Sequence, residues 1–271
     1  MVFSVVRVLR GYRTTNTETT KHTNHTKRGM TPVGELKMKS KAFTFFISIA
    51  LLSIFTASAV AQKGTGKDLQ DAVKRVDGAS EVMNEIMRIS DKSIPRDLLA
   101  KAKAVVVFPG VIKGAFIIGG QGGKGVAVRR IGRGWSAPAF LNMAGGSVGF
   151  QIGGSKTDYI MLVMNDKGMK GLVEDKFELG GEGSVAAGPI GRTAAASTNA
   201  TFDAEILTYS RSKGLFAGVS LKGVSINSDK DLNRNIYEKN LKQIIGEPAL
   251  GATAAPATLR RFGQTVATYA R

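Results

Sequence analysis

The sequence predicts an α+β domain: helices first, a bent, mostly antiparallel and partly barrel-like glycine-rich sheet in the middle, and a helix near the end. Three observations predict it. Apolar residues recur at helical spacing early in the chain, β-branched runs then alternate with glycine clusters, and helical spacing returns after Asp229. From Lys67 to Ser90 the apolar positions Leu69, Ala72, Val73, Val76, Ala79, Met83, Ile86 and Met87 form one stripe. Thr65 with Asp68 three residues on reads as its start, and Gly78 as a divider into two helices. Ile94-Pro95 opens a second short helix, Pro95 near its first position, with Leu98, Leu99 and Ala102 inward.

The period then changes. Ala104–Phe108 reads as a strand stopped by Pro109-Gly110, and Gly114–Ile118 and Gly125–Arg129 as strands separated by a Gly119–Gly123 turn. Further strands are expected at Ser147–Ile152 and Tyr159–Met164, around Phe177–Leu179, and at Leu215–Leu221. Strands this rich in glycine are intrinsically weak, so the sheet is expected to bend strongly or to bring backbones close together. Asp229–Ile245 reads as a helix, and the tail after Pro248 as carrying a last one from Thr258 to Tyr269. No internal repeat is visible.

Among 271 residues, 43% are hydrophobic and 22% charged, ordinary values for a chain with a packed core. There is no cysteine, which removes disulfides, thiolate metal sites and a cysteine nucleophile. Both histidines, His22 and His25, lie near the start. Lys37, Lys39 and Lys41 precede an uncharged run from Ala42 to Ala61 that ends in Ala59-Val60-Ala61, the three parts of a secretory signal peptide cut before Gln62. The reading is therefore an upstream extension over 1–37, a signal peptide over 38–61, a domain over 62–247 and a tail over 248–271. An exported chain cut there keeps no histidine, so neither Ser-His-Asp chemistry nor His-ligated metal is expected. The expected location is periplasmic or extracellular, with membrane association.

Two motifs resolve into plain alternatives. Gly120-x-Gly122-x-x-Gly125 meets the dinucleotide pattern, yet a strand-like run follows it where a helix is required, so it reads as a glycine turn. Ser210-x-x-Lys213 meets the spacing of Ser-Lys acylating enzymes but lacks their companion motifs and sits in a Ser/Gly-rich region. Trp135, the one tryptophan, reads as a packing residue.

Four stretches together resemble the SYLF domain, also called the lipid-binding or yeast actin-binding-protein domain. They are Ile94–Lys103 running into Val107-Phe108-Pro109-Gly110, then Gly134–Phe140, Ser184–Arg192 and Tyr209–Leu221, the last of these long and unusual in composition. The resemblance implies a non-catalytic domain that binds anionic lipids, phosphoinositides above all in eukaryotic members, some of which also bind actin; with no cysteine and no histidine after residue 61, neither cofactor nor metal is expected. The family often closes with Tyr-Gly, whereas Tyr237 here precedes Glu238. Export sets actin and phosphoinositides aside and leaves anionic phospholipid or a membrane surface as the expected partner. An envelope scaffold that binds protein or polymer is the alternative, and a Ser-Lys hydrolase a weaker one.

Charge locates the expected contact. The formal net charge is +17, of which residues 62–271 hold +10. Between residues 96 and 133, Arg96, Lys101, Lys103, Lys113, Lys124, Arg129, Arg130 and Arg133 face Asp97 alone, a net of +7, while residues 67–92 sum to −1. These eight cations are the candidate lipid-binding set, each contributing about 1 kcal/mol if held close to an anionic surface. Nucleic acid is not expected, because the chain reads as exported and its aromatic residues are sparse.

Overall fold

The computed structural model describes residues 65–89, 93–115, 119–147, 153–181, 184–191 and 204–271. The described residues all belong to one compact unit, and the expected signal peptide lies outside them. The elements are α1 (Thr65–Met87), α2 (Arg96–Lys101), β1 (Ala104–Ala115), β2 (Gly119–Ile131), β3 (Gly134–Trp135), β4 (Ala139–Ser147), β5 (Gly153–Val163), α3 (Asp166–Leu172), β6 (Lys176–Leu179), β7 (Val185–Ala187), β8 (Ile206–Ser212), β9 (Leu215–Gly218), β10 (Val224–Ser228), α4 (Lys230–Tyr237), α5 (Leu241–Ile245) and α6 (Arg261–Tyr269). The predicted α+β class holds. One curled sheet runs β6-β10-β4-β2-β1-β5-β8-β7, antiparallel except for β7 beside β8, with β3 on β2 and β9 on β8.

Helix α1 is continuous through Gly78, contrary to the expected division. The reason is a close approach: a Cβ there would sit 3.3 Å from Cγ of Pro109, so glycine lets the helix lie on β1. Along one face of the sheet α1 crosses several strands, marked by Asp71 beside Lys124 of β2, Gly78 on Pro109 of β1 and Glu85 paired with Arg211 of β8. Buried Arg75 pairs with Asp229 at 2.7 Å, and Asp229 caps α4. Helix α6 covers the same face: Asp77 pairs with Arg261, Asn84 with the Tyr269 hydroxyl, and Phe262 and Val266 are buried. The C-terminal tail thus closes the core.

Pro109-Gly110 does not end β1. The strand continues to Ala115, and its register shifts by one residue between Phe108 and Val111 against β5. A bulge is where a central strand tolerates proline, and Gly110 takes a left-handed φ of 60° that glycine adopts without strain. The glycine cluster 119–123 is not a turn but the first half of β2, paired on both sides by β1 and β4. Gly123 and Gly125 leave room for their cross-strand neighbours: a Cβ would fall 2.6 Å from the Val111 side chain and 2.4 Å from the Phe108 ring. The face carrying Phe108, Val111, Met161, Leu141 and Met143 is buried although only α3 and α5 lie near it, because the sheet curls over its own side chains.

Other strands depart from expectation in their limits. β4 occupies 139–147, and the expected strand beyond it lies mostly outside the described residues. β8 and β10 escape the sequence reading, although Val224-Ser225-Ile226-Asn227-Ser228 alternates buried and half-buried side chains in register with β4. The expected helix over 229–245 is two, broken where Glu238 turns left-handed at φ 56° and Asn240 opens a capping box with Gln243. That φ suits glycine, which accounts for the Tyr-Gly that the resemblance leads one to expect there.

The glycine–aromatic exchange yields a test. Gly125→Ala drives a methyl into the Phe108 ring and is expected to cost about 1–3 kcal/mol of unfolding free energy. Gly114→Ala, with nothing within 4 Å, serves as the comparison. Urea unfolding of both variants decides it, and equal stabilities contradict the packing described.

Candidate functional site

The eight cations singled out by sequence go to three places. Lys103 and Arg129 lie at the upper end of the sheet, where β1 starts and β2 ends. Lys103 pairs with Asp166 at the start of α3 at 2.6 Å. Arg129 donates to the Ile245 carbonyl and pairs with Glu247 at 3.2 Å. Arg129 lines an open pocket of about 260 Å³ with Asp166, Met169, Lys170, Val173, Lys242, Gly246 and Glu247, and Lys103 stands outside it. Sequence reasoning missed Lys170 and Lys242 because the pocket joins α3 and α5, and the two lysines are 72 residues apart in the chain. Of the pocket's three cations Arg129 is paired with Glu247, while Asp166 in the lining is paired with Lys103 outside it.

The second group surrounds α2. Arg96 and Lys101 are exposed on that helix, and Arg133 is exposed in the turn after β2. Arg130 is structural. Its guanidinium donates to the carbonyls of Leu99 and Ala102, where α2 has no further turn to satisfy them, and lies 4.4 Å over the Trp135 ring. Burial lowers its pKa from the ordinary arginine value. Trp135 is buried beneath it, as a packing residue should be.

The third group lies lower on the sheet. Lys124 reaches Asp71 at 3.8 Å, and Lys113 lies over the Tyr159 ring at 5.1 Å. The set is therefore distributed, and the strand alternation that sends Arg129 and Arg130 to opposite faces is one cause.

Ser210 and Lys213 are not brought together as a nucleophile and base. Ser210 lies within β8 opposite Tyr159, while Lys213 is the exposed first residue of the β8–β9 turn. Lys213 at φ 50° and Gly214 at φ 80° both take left-handed values, as a tight hairpin with matching twist requires. Among the described residues no cluster of His, Cys, Asp or Glu could hold a metal ion.

A family model described as Ysc84, Las17-binding protein actin regulator, matches residues 144–269, from β4 through α6. The match overlaps the stretches that resemble the SYLF domain and supports that resemblance. LAS seventeen-binding protein 3 of Saccharomyces cerevisiae is 40% identical over 155 residues, 56% of this chain and 34% of that protein. SH3 domain-containing YSC84-like protein 1 of Homo sapiens is 34% identical over 171 residues, 60% of this chain and 50% of that protein. The chain spans between one third and one half of the length of these relatives.

The SYLF stretch Tyr209–Leu221 serves the fold first. The Tyr209 ring stacks on Phe216 and fills the space over Gly188, where a Cβ would lie 2.0 Å from it. Burial pushes the Tyr209 hydroxyl above its usual value. Arg211 pairs with Asp158 at 2.8 Å and with Glu85, which fastens β8 to β5 and to α1. Desolvation raises the Asp158 carboxyl and lowers the Arg211 guanidinium, so burial opposes both charges and their contact offsets it.

Arg130 separates stability from binding. Arg130→Met leaves two helix-end carbonyls and the Trp135 face without a donor, and is expected to cost about 1–3 kcal/mol in urea unfolding. An unchanged unfolding midpoint contradicts the structural role.

Proposed function

We propose that the chain is an exported, non-catalytic SYLF domain that binds anionic phospholipid at a membrane surface. One observation carries the reading. Among the described residues, exposed Lys156, Lys170, Lys213, Lys222 and Lys242 have no carboxylate partner, so the positive excess faces outward instead of being consumed in the fold. The Arg and Lys of positions 96–133 add to this general attraction, with Arg130 and Arg129 largely committed to internal contacts. Solvent-facing lysines favour a surface of many phosphates over one enclosed ligand. The name of the yeast relative, LAS seventeen-binding protein 3, favours a second reading, a protein-binding module.

Vesicle sedimentation tests the lipid reading. Protein beginning at Gln62 is expected to bind phosphatidylglycerol-containing vesicles and to leave phosphatidylcholine vesicles unbound. Binding should fall as salt shortens the screening length from about 8 Å at physiological ionic strength. Equal binding to both vesicle types at every salt concentration contradicts it. Export has its own check: N-terminal sequencing of protein from its native host should begin at or near Gln62, and a chain retaining Phe43–Leu52 overturns the cleavage.

A further inference from the structure

The two most exposed large apolar side chains among the described residues, Leu215 at 78% and Ile112 at 60%, stand at the same end of the sheet. Pairing registers place them. Ile112 lies opposite Lys156 across β1 and β5, and Asp158 lies opposite Arg211 across β5 and β8. Two residues further along the same antiparallel ladder, Lys156 comes level with Lys213, and Leu215 follows that turn as the partner of Ser212. Helix α1 crosses the sheet above this margin, at Lys124, Pro109 and Arg211, so none of the described helices covers it.

Among the described residues the margin is nearly bare of side chains. Gly114 faces both Gly120 and Gly154, and Gly120 faces Gly146, so the ends of four neighbouring strands carry almost no side chain. Nothing lies within 4 Å of a Cβ added at Gly114, Gly120 or Gly146. Lysines collar it: Lys113 and Lys156 on the strands, Lys213 at the hairpin turn and Lys222 just before β10, whose first residue pairs with Gly145. Glu178 is the acidic counterpart among the described residues of the same rows.

We propose that this glycine-rich end is the membrane-docking surface, with Ile112 and Leu215 entering the interface and Lys113, Lys156, Lys213 and Lys222 meeting anionic headgroups. The proposal rests on the lipid reading above and adds the place and orientation of contact. Single exposed aliphatic residues are ordinary on soluble proteins. Two at one end, separated by lysines without carboxylate partners on a margin that none of the described helices covers, match a bilayer surface, where the aliphatic group leaves water and the ammonium stays at phosphate level. The occupant is thus an anionic bilayer, chosen by charge complementarity. The opposite end, where Asp166 and Glu247 offset Lys103 and Arg129, points away from the membrane.

Vesicle binding of three variants of the Gln62 protein tests this, each first shown to unfold cooperatively like the unchanged protein. All replaced side chains are exposed, so folding is expected to survive. Ile112→Asp with Leu215→Asp, and Lys156→Glu with Lys213→Glu, should each weaken binding to phosphatidylglycerol-containing vesicles by about tenfold or more. Lys170→Glu with Lys242→Glu makes the same charge change at the opposite end and should alter it by no more than about twofold. If the unchanged protein binds and the Lys170/Lys242 pair loses as much as the Lys156/Lys213 pair, the docking end is wrong while the lipid reading stands. If the unchanged protein binds neither vesicle type, both fall.

Discussion

The structure depends on one exchange of bulk between neighbouring strands. Phe108 and Val111 occupy the space that Gly125 and Gly123 leave empty, on either side of the Pro109-Gly110 bulge. That exchange lets the sheet curl tightly enough to bury its own inner face, since a close cross-strand approach is possible only where one partner has no side chain. The helices α1, α4 and α6 are then free to pack on the other face, and α1 settles on Pro109 through Gly78. The same glycine enrichment, carried on past the bulge, leaves the far margin of the sheet nearly without side chains among the described residues.

The division of labour among charges follows from this geometry. Arginines work inside the fold: Arg75 on Asp229, Arg130 on the end of α2, Arg211 between Asp158 and Glu85. Their planar, multi-donor heads can satisfy several acceptors at once where burial makes an unpaired group costly. The lysines without carboxylate partners sit at the surface, where a flexible, strongly hydrated ammonium suits an ill-defined array of phosphates. Among the described residues, the stretches that resemble the SYLF domain build hairpins, bulges and packing contacts.

Much of the fold was legible in the sequence. The stripe from Leu69 to Met87 and the inward trio Leu98, Leu99 and Ala102 depend on local periodicity, and both are buried except for half-buried Leu69 and Val73. What misled the reading was glycine and proline taken as punctuation. Pro109-Gly110 reads as a stop, but pairing to two neighbours carries β1 through it as a bulge. Gly119–Gly123 reads as a turn, but its place between β1 and β4 makes it strand. In both cases long-range pairing overrides local preference. The cation cluster in sequence did not become a cluster in space, because adjacent strand residues face opposite ways and Arg130 is claimed by α2. Lys156, Lys213 and Lys222 are far apart in the chain, and only the sheet register brings them to one margin.

The central claim is that this margin meets the membrane, and a single fluorescent residue can report it. Trp135 is buried beneath Arg130, so an added tryptophan at exposed Leu215 gives the signal that responds to lipid. The emission of Leu215→Trp in the presence of phosphatidylglycerol vesicles is predicted to shift to the blue and to be quenched by brominated acyl chains. Emission that stays at its aqueous wavelength and escapes quenching, while the protein sediments with the vesicles, contradicts the account.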